Sequence, residues 1–89
     1  MTTYEVKIHK RGKGGWKAHQ PQTEDTSRVE AFISGLVVEH EGEEGSYQMS
    51  VKVNGGYSEK KEHTATMVWN LRGPVSVLFE GFNRTLTHH

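Results

Sequence analysis

The sequence predicts a mainly β domain, a small antiparallel β-sandwich or barrel of about six strands, with one short helix near residues 27–35 as the alternative for that segment. Three observations predict it. Apolar and polar residues alternate in four separate runs, the period of a strand that buries one face. Ten glycines against two prolines stand between runs rich in valine, threonine and aromatics, the pattern of a chain that turns often. At 89 residues the chain makes one domain, 1–89, which buries only about 60% of its unfolded surface.

The first strand is YEVKIHK, residues 4–10, with Tyr4, Val6 and Ile8 on one face and Glu5, Lys7 and His9 on the other. GKGG follows and supplies the residues that tight hairpin turns need. Trp16, Ala18 and Gln20 share one face of the returning strand, which Pro21 ends. Residues 27–41 carry two patterns. As a helix, Val29, Phe32, Ile33, Leu36 and Val37 form one apolar stripe, and Ser27 and Glu30 have capping-box spacing. As a strand, Val29, Ala31, Ile33 and Val37 share a face, and the β-branched content favours this reading for 28–34 and for 36–41. Joined, the two give helical turns to Ser34, a Gly35 C-cap and a strand from Leu36.

Residues 46–54 alternate most clearly, with Tyr47, Met49, Val51 and Val53 on one face. NGGYSEKKE reads as a loop. HTATMVWNL, residues 63–71, places Ala65, Met67, Trp69 and Leu71 together, and RGP reads as a turn. VSVLFEGF, residues 75–82, reads as the last strand, with Val75, Val77 and Phe79 inward. The expected core is Val6, Ile8, Tyr47, Met49, Val51, Val53, Met67, Trp69, Val75, Val77 and Phe79.

Charge is uneven although the net charge is zero. Residues 1–23 carry Lys7, Lys10, Arg11, Lys13 and Lys17 against Glu5, and residues 24–45 carry seven carboxylates against Arg28. Residues 46–89 have a small basic excess. Such asymmetry marks a polyanion site or complementary pairing between molecules, or else charged turns that keep a small domain soluble. No cysteine is present, which removes disulfides, thiolate metal sites and thiol catalysis. Residues 1–15 lack the apolar core of a signal peptide, and no apolar run is long enough to cross a membrane. The expectation is a cytoplasmic protein without membrane contact. The terminal His88-His89 pair carries no functional weight.

Catalytic and metal sites find little support. GKGG lacks the Ser or Thr and the helix of a phosphate-binding loop. His9, His19, His40 and His63 have no partner at ligand spacing, and the acidic run 39–44 lacks the EF-hand pattern. No nucleophile elbow occurs. No cofactor, metal or catalytic residue is expected.

The first functional expectation is a non-enzymatic binding module for another protein or for itself. A homodimer would use a second apolar face carrying Val68, Leu78 and Phe32. The alternative is polyanion or nucleic-acid binding through Lys10, Arg11, Lys13 and Lys17 of the 7–17 hairpin. A neutral isoelectric point weighs against that alternative. A small hydrolase-type enzyme comes third. The binding residues proposed from sequence are thus Lys10, Arg11, Lys13, Lys17, Val68 and Leu78.

Overall fold

Helices cover one face of an antiparallel sheet in the computed structural model, which describes residues 2–58 and 61–87, with side chains of 56–58 and 61–63 outside the description. The order is β1 (Thr2–Lys10), β2 (Lys17–Thr23), α1 (Thr26–Glu39), β3 (Glu44–Ser58), β4 (Lys61–Pro74) and α2 (Val77–Thr87). The four strands form one sheet in the order β2-β1-β3-β4, antiparallel throughout. β2 and β3 therefore run in the same direction with β1 between them, and α1 makes the crossover. The protein is mainly β, but the sheet is open, neither sandwich nor barrel.

Two expected strands are helices. Residues 28–34 and 36–41 fall in α1 or its end, because Val29, Ile33 and Leu36 form a helical stripe buried against the sheet. Gly35 is not a cap. The helix passes through it to Glu39 and ends at His40, whose N–H reaches the Leu36 carbonyl. A mid-helix glycine costs about 1 kcal/mol relative to alanine. Burying Leu36 returns about 2 kcal/mol, so the stripe outweighs the glycine. At the other end the cap is Asp25 and not Ser27: the Asp25 carboxylate accepts from the Ser27 N–H at 3.0 Å and the Ser27 hydroxyl at 2.6 Å.

The second corrected segment is 75–82. Val75 and Ser76 form a turn, and α2 buries Leu78, Gly81, Phe82 and Thr85 at three- and four-residue spacing. Leu78 and Phe82, expected on an outer face, are fully buried. Val77 and Phe79, expected in the core, are only partly so.

The alternating runs of β1 and β3 lie as expected. Tyr4, Val6 and Ile8 stand beside Val53, Val51 and Met49 in the β1–β3 register, and all are buried. Tyr47 and Leu71 extend the core, while Met67 and Trp69 of β4 are half-buried at its margin. Pro21 does not end β2. Between Tyr4 and Val6 the register advances three residues in β2 against two in β1, and Pro21 sits in that bulge at the sheet edge. The loop expected at 54–62 is largely strand where it is described, since β3 reaches Ser58 and β4 starts at Lys61; residues 59 and 60 lie outside the described residues.

Candidate functional site

Because both helices lie on one side, the other face of the sheet is uncovered. Strand alternation places the polar set of each run there. Lys7 faces His19 and Ser50, His9 faces Lys17 and Gln48, and Glu5 faces Lys52. Gln48 faces Asn70, Ser46 faces Arg72, and Ser50 faces Val68. Arg11, just past β1, reaches the same face and donates to Gln48 Oε1 at 2.8 Å. The face thus carries the exposed cations Lys7, Arg11, Lys17, Lys52 and Arg72, with Glu5 and Glu44 as its carboxylates among the described residues.

Glu5 is already engaged. Its Oε2 lies 2.7 Å from His19 Nε2, and this hydrogen bond, helped by Lys7 and Lys52, holds its carboxyl below the ordinary range. The face dips into several hollows, one of them lined by Glu5, Lys7, Ser50, Lys52 and Thr66. A second is lined by Lys7, His9, Lys17, His19, Gln48 and Ser50, and a third by Arg11, Ser46, Gln48, Asn70 and Arg72. The opposite layer has the other sign: Glu24, Asp25, Glu30, Glu39 and Glu41 are exposed on and beside α1, with Arg28 as the cation of that segment. The zero net charge conceals a basic sheet face and an acidic helix face.

The six residues proposed from sequence do not form one site. Arg11 and Lys17 belong to the basic face. Lys13 is exposed at the tip of the β1–β2 turn. Gly12 and Gly14 hold positive φ of 96° and 77° there, so the glycines turn the chain. Lys10 points to the helix side, where its Nζ donates to Glu43 Oε1 at 2.6 Å and its side chain is 12% exposed. Leu78 is in the core, so it cannot share a surface with Val68, which is 51% exposed on the sheet face. The common apolar patch expected of Val68, Leu78 and Phe32 is absent. Lys52 and Arg72 are the residues that sequence reasoning left out, while Lys7 was counted in the basic 7–17 run but not among the binding residues. The alternation signal that placed them opposite the core was visible, but the expected sandwich or barrel offered no single uncovered sheet face on which to gather them.

Lys10 belongs to a second cluster, behind the hairpin. Trp16 stacks on His40 with ring centroids 4.1 Å apart and planes 11° from parallel, and its Nε1–H donates to Glu43 Oε1 at 3.3 Å. His40 Nδ1 lies 2.6 Å from Glu43 Oε2, and the Tyr47 hydroxyl donates to the Glu43 carbonyl at 3.4 Å. Glu43 ties the β1–β2 turn to the end of α1, and Trp16 is a packing residue, stacked on His40, tilted 51° to the Tyr47 ring 6.0 Å away, and with its N–H in use locally. Lys10 first, and His40 after it, lower the Glu43 carboxyl from 4.5 to about 2. A lowered folded-state pKa stabilises above the unfolded value and is lost as pH falls through the folded one. Stability from this clamp should therefore fade from about pH 4.5 to about pH 2. Glu43→Gln should lower the melting temperature at neutral pH and flatten its acid decline; thermal melts across that range check this, and an unchanged acid limb would assign the decline to other carboxylates.

No group of three or more His, Asp or Glu side chains able to hold a metal occurs among the described residues; the side chain of His63 lies outside them. No helix among the described residues is long and apolar enough to cross a membrane. No protein-family model matches the chain, and no curated protein or solved structure is significantly similar to it.

Proposed function

We propose that this chain is a non-enzymatic binding module whose uncovered sheet face takes a nucleic-acid strand by its phosphates. The observation that carries the reading is the placement of Lys7, Arg11, Lys17, Lys52 and Arg72 on one uncovered face, with the acidic residues of residues 24–41 on the other side. A polyanion approaching such a molecule is steered to the sheet and away from the helices. Lysine and arginine at strand spacing meet phosphate oxygens without reading bases. No Phe, Trp or Tyr stands on this face among the described residues, and Trp16 is held against His40, so stacking on large aromatic rings is not the mode. The reading keeps binding and not catalysis as the activity, and prefers nucleic acid to protein as the partner because the common Val68–Leu78 patch is missing.

Titration against labelled single-stranded DNA and RNA, duplex DNA and heparin at low salt tests this. With about four phosphates neutralised, affinity for a single strand should fall about 50-fold between about 50 and 200 mM salt. Equal affinity for unrelated sequences is expected. Absence of binding to every nucleic acid at low salt would remove the reading, and heparin binding alone would reassign the face to a sulfated glycan.

A further inference from the structure

The two edges of the sheet are built differently. β2 is a short edge of seven residues, bearing Lys17, a bulge and Pro21, all devices that prevent another strand from pairing. β4 is the opposite edge, fourteen residues long, paired only with β3 among the described residues. Its segment 64–71, TATMVWNL, holds no charge and no proline. Each device that guards β2 is missing from it. Val68 is 51% exposed on the sheet face, and Met67 and Trp69 are half-buried on the helix side. A long edge whose central segment is uncharged and aromatic-bearing, with an open row of backbone donors and acceptors, calls for a strand to pair with it.

We propose that a second copy of this chain supplies that strand, β4 pairing antiparallel with β4 of the second copy about a two-fold axis at Val68. The sequence is self-complementary in this register. Val68 meets Val68 of the second copy, and Met67 meets its Trp69. Thr66 lies opposite its Asn70, so no like charges oppose one another along the segment. The register pairs odd residues with odd ones, so the helices of both copies lie on one side and the two sheets join as eight strands. This surface is separate from the phosphate-binding reading and does not rest on it, although the join would also make the two basic faces continuous.

The absence of cysteine makes the register directly measurable. Across an antiparallel pair, opposite Cα atoms are about 4.5–5.5 Å apart. Disulfide formation tolerates up to about 7 Å. Val68→Cys should therefore give a covalent dimer under mild oxidation. Two copies of residue 66, or of residue 70, are offset by about 13 Å along the strands, so Thr66→Cys alone and Asn70→Cys alone should not cross-link. Mixing the Thr66→Cys and Asn70→Cys chains should restore the covalent dimer. Light scattering of the cysteine-free chain should give twice the 10.1 kDa chain mass, and Val68→Lys, which sets two ammonium groups face to face, should halve it. A mass of 10.1 kDa at high micromolar concentration would overturn the proposal, and so would cross-linking of Val68→Cys no faster than of Thr66→Cys. A dimer that survives Val68→Lys would place the contact elsewhere and equally overturn it. Nucleic-acid binding by a monomer would leave the phosphate-binding reading standing while this one fails.

Discussion

Phe82→Ala should unfold much of the domain, whereas Phe79→Ala should leave it folded. Phe82 is fully buried in α2 and meets the ring of Tyr4 edge-on, with centroids 5.9 Å apart and planes at 79°. Truncation there removes a phenyl group from the layer between α2 and the sheet, where Leu78 and Met49 are also fully buried. Phe→Ala in a core costs about 3–5 kcal/mol. In a domain of this size that lowers the melting temperature by roughly 15–30 °C. Phe79, three residues earlier in the helix, is only partly buried, and its truncation should cost about 1–2 kcal/mol. A strand over 75–82 with Phe79 inward would reverse that ranking. Thermal denaturation of the two variants followed by circular dichroism decides between them, and a larger loss for Phe79→Ala would overturn the helix.

The helix was partly legible. Leu78, Phe82 and Thr85 stand at helical spacing, but a window that stops at Phe82 ends before the repeat can show. Within 75–82 the β-branched and aromatic residues dominate, and their strand preference is a weak prior that tertiary burial overrides. α1 posed the same conflict more openly, since its stripe of Val29, Ile33 and Leu36 and its strand-favouring composition were both visible. What decides it lies outside the segment: the apolar face of β1 and β3 has to be covered, and two amphipathic helices cover it without a second sheet. The strands were legible because alternation in β1 and β3 is local and each run buries its own set.

The site was legible in composition and hidden in geometry. Lys10 and Arg11 are neighbours in a basic run, yet strand alternation sends one to Glu43 behind the hairpin and the other to Gln48 on the open face. Conversely, Lys7, Lys52 and Arg72 are far apart in the chain and are gathered only by pairing β1 with β3 and β3 with β4. A charge run along one strand is always divided between two faces, so counting residues 7–17 as one patch joined groups that point apart.

Neutralising that gathered set gives the largest functional effect expected. In Lys7→Gln/Lys52→Gln/Arg72→Gln, three exposed cations are removed from β1, β3 and β4 while the shape of the face is nearly kept. Exposed charges contribute about 0–1 kcal/mol each to stability, so the fold should be retained. Lys7 and Lys52 also help to hold Glu5 ionised, and His19 still holds that carboxylate in the variant. Each lost phosphate contact on a single strand should reduce the slope of log affinity against log salt by about 0.7, or about 2 for the three. The two salt titrations should converge near 1 M, where counterion release no longer favours binding, and diverge to roughly a 400-fold difference near 50 mM. Arg28→Gln/Arg84→Gln, which removes exposed cations from the helix layer, should change affinity far less. An equal loss in that control would mean that overall charge drives binding and no face is used. A salt slope unchanged in the triple variant would show that the phosphates run elsewhere, even if the affinity itself had fallen.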